Sequence, residues 1–147
     1  MKITSIVVGT DLGEYSDRAI DLAVDLAKTF GAKLTLVHGF DPPPYVYGDM
    51  GTSLVDYLAP LEDTARQLLD KTLERASARW PRSSALLMRG APWKQILRAC
   101  EHESGDLIVI GTHGRTGISH ALLGSVADKV VRLSQVPVLT VKGSGPS

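Results

Sequence analysis

The sequence predicts an α/β fold, a parallel and doubly wound sheet with helices on both faces. Three observations lead there. Five short β-branched or aliphatic runs alternate with four helical patterns from end to end. The run Leu107-Ile108-Val109-Ile110 is apolar throughout, as a strand buried on both faces must be. Glycine, proline or aspartate punctuates most of the changeovers.

In order, residues 3–9 form a first strand, ended by the turn chemistry of Asp11-Leu12-Gly13. Ser16 is placed to cap a helix reaching to about residue 30, with Asp17 against the positive end of its dipole. Ala19, Ile20, Ala23, Ala27 and Phe30 recur at helical spacing, and Gly31 closes the helix. Residues 33–39 make strand two. The run Asp41-Pro42-Pro43-Pro44 excludes regular helix or central strand, because successive prolines remove backbone donors, so 40–52 is the longest irregular stretch. A second helix follows to about residue 80, carried by Leu54, Leu58, Leu61, Ala65, Leu68, Leu69, Leu73 and Ala76. Pro60 either kinks it or marks its first turn. Residues 84–88 read as strand three. Gly90-Ala91-Pro92 opens a third helix with Trp93, Ile96, Leu97 and Cys100 on one face. Strand four is 106–110, a glycine-rich loop covers 111–124, Ser125 caps a last helix to about 133, and strand five is 136–141.

The chain of 147 residues suits one domain over 1–147 with one core. Sixteen basic residues balance sixteen acidic ones, so there is no general electrostatic pull toward nucleic acid or an acidic membrane. The single cysteine, Cys100, excludes an internal disulfide and suits a core residue better than a nucleophile. The N-terminus meets Asp11 too soon for a signal peptide, and no apolar run approaches the ~20 residues needed to cross a bilayer. A cytoplasmic protein without membrane insertion is expected. His38 and His102 lack a second ligand at metal spacing and read as structural histidines, while Trp93 is expected against the sheet. Tyr45 and Tyr47 fit a lid or an exposed loop equally.

Ligands of such sheets bind beyond the carboxyl ends of the strands where the winding reverses. Two segments are therefore candidates: the turn after strand one and the loop after strand four. The loop Gly111-Thr112-His113-Gly114-Arg115 through Gly124-Ser125 has glycines that admit unusual backbone conformations and close ligand approach. It ends at a helix N-terminus, where free N–H groups and the Ser125 hydroxyl suit phosphate. From glycine count alone, a plain surface turn with a serine cap is an equal reading.

The spacing Gly-x-x-Gly, nine residues, Gly-Ser decides between them. Together with Val7-Val8-Gly9-Thr10-Asp11, Asp106 to Gly114 around strand four, Gly124-Ser125-Val126-Ala127 and Val136-Pro137-Val138-Leu139, it resembles the universal stress protein family, ATP-binding branch, over essentially the whole chain. The resemblance implies an open five-stranded sheet of order 3-2-1-4-5, Rossmann-like and of the adenine nucleotide alpha hydrolase-like type. It implies ATP as ligand, with any magnesium carried on the phosphates. Thr10 and Asp11 would meet the adenosine part, with Gly9 and Ile110 beside them. Gly111, Gly114, Gly124 and Ser125 would hold ribose and phosphates, and Val126 would donate its backbone N–H. His113 and Arg115 lie within reach of phosphate or of solvent. Two departures stand out. Gly9 replaces a frequent proline, leaving room for the base, and Gly39 replaces an aliphatic residue that contacts adenine, leaving only its main chain to bond the base.

Three functions compete: an ATP-dependent regulator, a slow ATPase, and a structural dimer of the family's non-binding branch. The intact glycine-serine pattern disfavours the last. The absence of a P-loop lysine and of a Glu or Gln to orient water disfavours efficient hydrolysis. A phosphoacceptor receiver domain is excluded by Met88-Arg89-Gly90, where its aspartate would stand. Val138, Leu139 and Val141 on an edge strand over 136–141 invite pairing with a second copy, so a homodimer is expected.

Overall fold

The middle strand, β1 (Ser5–Gly9), is buried at every residue because it is hydrogen-bonded on both edges and covered on both faces. In this computed structural model, which describes residues 1–41, 53–112 and 123–143, it is followed by α1 (Asp17–Phe30), β2 (Lys33–Phe40), α2 (Ser53–Arg79), β3 (Ser83–Arg89), α3 (Pro92–His102), β4 (Leu107–Gly111), α4 (Ser125–Leu133) and β5 (Val138–Val141). The sheet order is β3-β2-β1-β4-β5 and every pairing is parallel. Val8 sits opposite Leu36 on one side and Val109 on the other. The expected tyrosines of the proline-rich segment lie outside the described residues.

The period-2 alternation of strand side chains divides the core into two layers. Ile6, Val8, Leu34, Leu36 and Val109 pack under α1 and α2, against Ala19, Ile20, Ala23, Val24, Ala27, Leu69 and Ala76. Val7, Val37, Ile108 and Ile110 pack under α3 and α4, against Ile96, Ala99, Cys100, Ala127 and Val130. Cys100 is a core residue, and burial pushes its thiol up from the ordinary range. Trp93 joins this second layer at its margin, with the ammonium groups of Lys129 and Lys94 at 5.1 and 5.7 Å from its ring centre. Gly31 ends α1 in the left-handed conformation (φ 67) expected of a closing glycine.

Several boundaries differ from the sequence reading, each for a local reason. Strand one begins at Ser5, the first residue paired with β2 (opposite Lys33), and the Asp106 carboxylate takes the N–H groups of both Thr4 and Ser5. Pro60 lies inside α2, past its first turn. Trp80 falls just outside that helix, its indole N–H donating to the Ala32 carbonyl at 2.8 Å. Phe30, at the helical spacing of a core residue, is 48% exposed on the last position of α1. Val136 is not in β5. The Ser134 hydroxyl captures it, donating to its carbonyl at 2.7 Å and accepting its N–H at 3.1 Å, and the ladder starts two residues later. Among the described residues no helix is long and apolar enough to cross a membrane.

At the amino end of the sheet, β1 and β4 are tied together by Asp106. Its Oδ2 accepts from the Thr4 N–H at 2.8 Å, the Thr4 hydroxyl at 3.0 Å and the Ser5 N–H at 3.1 Å. These donors favour the carboxylate and hold its pKa below the ordinary 3.8, with the Thr4 N–H the largest cause. A depressed carboxyl contributes stability that is present above the unfolded-state pKa and is lost as pH falls through the folded-state value. Asp106→Asn is therefore expected to lower the unfolding free energy by about 1 kcal/mol at pH 7. The gap to the unmodified protein should close as pH drops beneath 3.8, as measured by urea unfolding across that range.

Candidate functional site

The carboxyl ends of β1 and β4 part company because their chains leave toward opposite faces, β1 toward α1 and β4 toward α4. The cleft between them has a volume of about 210 Å³. Its walls come from three places. The β1–α1 turn supplies Gly9, Thr10, Asp11 and Ser16. The end of β4 and the start of α4 supply Ile110, Gly111, Thr112, Gly124, Ser125, Val126 and Ala127. The first turn and a half of α3 supplies Pro92 and Ile96.

Of the residues singled out in the sequence, Gly9, Thr10, Asp11, Ile110, Gly111, Gly124, Ser125 and Val126 thus meet around one cavity. His113, Gly114 and Arg115 lie outside the described residues. Gly39 does not line the cavity. A Cβ added there would stand 2.5 Å from the Pro92 Cα, so the backbone of α3 covers the position. Gly9 does line it, but the room expected over it for a base is taken: a Cβ there would come within 2.6 Å of the Ile96 Cδ1. Pro92 and Ile96 were not legible as wall residues. Their separation of four places them on one helical face, but that face alone does not reveal how closely α3 presses on the strand ends.

The polar wall is defined by hydrogen bonds. The Thr10 N–H donates to the Val37 carbonyl at 2.9 Å, and the Thr10 carbonyl accepts from His38 Nδ1 at 2.9 Å, which fixes the end of β1 against β2. The Thr10 hydroxyl oxygen accepts the Leu12 N–H at 2.9 Å. Asp11 Oδ1 accepts the Gly13 N–H at 2.9 Å and the Ser16 hydroxyl at 2.5 Å, while the Asp11 N–H donates to the Ser16 oxygen at 3.1 Å. Ser16 makes no capping hydrogen bond to α1. A 3-10 turn at Glu14–Ser16 precedes that helix and directs the hydroxyl back to Asp11. The other carboxylate oxygen, Asp11 Oδ2, is buried and has no hydrogen-bond partner among the described residues.

The opposite wall is the start of α4. Gly124, not Ser125, is the N-cap residue, and its φ of −61 is open to any residue, so no glycine-specific conformation is used there. Its N–H donates to the Thr112 carbonyl at 2.6 Å, which joins the two ends of the loop. The first intrahelical donor is Asp128, to the Gly124 carbonyl at 2.9 Å, so the N–H groups of Ser125, Val126 and Ala127 precede the helix ladder and border the cavity. A larger, shallower groove of about 770 Å³ lies across the turn, between Leu12 and the α2 residues Leu68, Lys71 and Arg75. There Arg75 Nη2 is already paired with Asp17 at 3.1 Å.

Fold and cleft together define a doubly wound parallel α/β domain with a cleft at its switch point. The universal stress protein family model matches residues 2–142, and the chain belongs to that family. It is 34% identical over 147 residues to a universal stress protein of Thermus aquaticus, covering 94% of this chain and 98% of the relative. A universal stress protein of Methanocaldococcus jannaschii is 32% identical over 139 residues, covering 93% of this chain and 81% of the relative. Among solved structures, a universal stress protein in complex with cAMP superposes with a TM-score of 0.71 at 28% identity, covering 98% of this chain and 100% of that one.

The two glycine contacts differ in kind and can be separated. At Gly9 an added methyl meets the tip of a flexible side chain; at Gly39 it meets backbone. Gly9→Ala and Gly39→Ala are each expected to destabilise by about 1–3 kcal/mol. Adding Ile96→Val, which removes the Cδ1, should recover stability for Gly9→Ala and not for Gly39→Ala, as read from urea midpoints.

Proposed function

We propose that this chain binds an adenine nucleotide, ATP in particular, and works as a nucleotide-dependent regulator in stress response, as a single cytoplasmic domain over residues 1–147. The observation that carries the reading is Asp11, which lines the cleft and whose Oδ2 is a buried acceptor without a partner among the described residues. A buried polar atom left unsatisfied is costly, and a donor group on a ligand removes that cost. Sugar hydroxyls and an exocyclic amine are such donors. Ser125 and Val126, with the Ala127 N–H beside them, offer backbone donors and a helix dipole to an anion, as a phosphate requires. Pro92, Ile96 and Ile110 offer apolar surface to a base. Gly9, Thr10 and Gly111 bring backbone close to the sugar. The relative solved in complex with cAMP supports an adenine nucleotide as the ligand class.

Magnesium would enter with the phosphates of ATP. Chemistry on those phosphates is held to a slow rate at most, because the P-loop signature with its charge-neutralising lysine is absent from the sequence. A dimer through β5 completes the proposal. This strand ends the sheet, and Leu139 on it is 37% exposed.

Calorimetric titration of nucleotide-free protein with ATP and magnesium tests the binding. Saturable binding is expected, weakened at least about tenfold by Asp11→Asn, which keeps the Oδ1 acceptor and turns the free oxygen into a donor. No binding by the unmodified protein would hand the lead to the structural-dimer reading. Light scattering at micromolar concentration should give the mass of a dimer, and Leu139→Lys should give a monomer.

A further inference from the structure

We propose that Ser16 is a positioning residue for the ligand: its hydroxyl locks the Asp11 carboxylate so that one oxygen presents a single, fixed acceptor to a sugar hydroxyl. This rests on the nucleotide reading above and adds to it a selectivity for the hydroxylated sugar.

The geometry carries the assignment. Ser16 is 6% exposed, and its hydroxyl is engaged in both senses, donating to Asp11 Oδ1 at 2.5 Å and accepting the Asp11 N–H at 3.1 Å. The Gly13 N–H donates to the same Oδ1 at 2.9 Å. Two hydrogen bonds to the carboxylate, and a third from the Asp11 N–H that steadies the serine, thus hold it in one orientation within six residues. A serine placed to cap α1 would spend its oxygen on the helix; this one makes no capping bond. Two of these bonds end on Oδ1 and the third steadies the Ser16 hydroxyl; Oδ2 is buried and unpartnered among the described residues, on a residue that lines the cleft.

A carboxylate oxygen only accepts, so the matching ligand atom is a donor. The wall that Pro92 and Ile96 build is apolar and suits the face of a base, while the α4 N-terminus suits phosphate. The sugar hydroxyls are the donors left for Asp11. A preoriented acceptor discriminates strongly against an analogue that lacks the donor, because the buried oxygen is then left unsatisfied. A carboxylate free to rotate toward solvent loses that discrimination, so the selectivity depends on Ser16 although Asp11 makes the contact.

The test is calorimetry with ATP, 2′-deoxy-ATP and 3′-deoxy-ATP on the unmodified protein and on Ser16→Ala, with thermal unfolding of both. The unmodified protein should bind ATP about tenfold or more tighter than one of the two deoxy analogues. In Ser16→Ala, ATP should weaken by about tenfold and the ATP-to-deoxy ratio should fall toward one. A loss of affinity equal for all three ligands, with the ratio kept, would mean a merely structural serine and would overturn the proposal. So would equal binding of the three by the unmodified protein, an outcome that leaves the nucleotide reading standing. Failure of ATP itself to bind removes the nucleotide reading and this proposal together. If Ser16→Ala does not fold, Ser16→Cys decides, since a thiol keeps the volume but bonds the carboxylate weakly: a ratio that falls toward one supports the assignment, and a ratio kept at the unmodified value overturns it.

Discussion

Everything at this site depends on β1 being paired on both edges. It lies between β2 and β4, and the connection from β1 returns through α1 while β4 leaves toward α4 on the other face. Two chains that diverge from adjacent strand ends cannot fill the space between them, so a cleft opens there by topology, before any side chain is chosen. The register then sets the depth of the walls. Val8 is level with Val109, which leaves Gly9 and Thr10 to rise opposite Ile110 and Gly111. At the other end, the Asp106 carboxylate bridges the same two strands through Thr4 and Ser5. The pair is therefore fixed where no ligand enters and open where one can.

How α3 sits is the second determinant. Glycine at 9 and at 39 removes the side chains that would hold α3 away from the ends of β1 and β2, and Ile96 and Pro92 occupy the space. Read one position at a time, Gly9 is open room for a base and Gly39 is a missing apolar contact. Read with α3, each is a small residue matched by a larger one on the facing element, which keeps the interior at close-packed density. The apolar wall of the cleft is thus supplied by Pro92 and Ile96 of α3, with Ile110 of β4 beside them.

The alternation of elements was legible because period-2 and period-3.6 patterns are local, and the strand order and the meeting of Asp11 with Gly124-Ser125 followed from the family resemblance. What was not legible required a third residue. Ser16 reads as a cap from its neighbours, and only the 3-10 turn at Glu14–Ser16 redirects its hydroxyl to Asp11. Ser125 reads as a cap for the same reason, yet Gly124 takes that position and Ser125 is the first helical residue. Val136 has a strand former's side chain, but the Ser134 hydroxyl competes for its backbone. Phe30 has helical spacing for the core, but it sits at the end of a helix whose buried face finishes at Ala27.

The turn that carries Asp11 is held in a state that a free chain would avoid. Leu12 has φ 66, a left-handed conformation that a leucine adopts only at a cost of about 1–2 kcal/mol. Three things offset it: its N–H bonds the Thr10 hydroxyl, the next N–H bonds Asp11 Oδ1, and its side chain packs against the layer under α1. The left-handed residue is what brings Gly13 back toward Asp11, so the strain and the fixed carboxylate are one feature. Strain of this kind persists where the surroundings over-determine it, and its presence beside a buried acceptor with no partner among the described residues places two local costs on the adjacent residues Asp11 and Leu12. A turn selected only to join β1 to α1 would need neither. One selected to hold an acceptor ready for a ligand needs both, since the orientation must exist before the donor arrives.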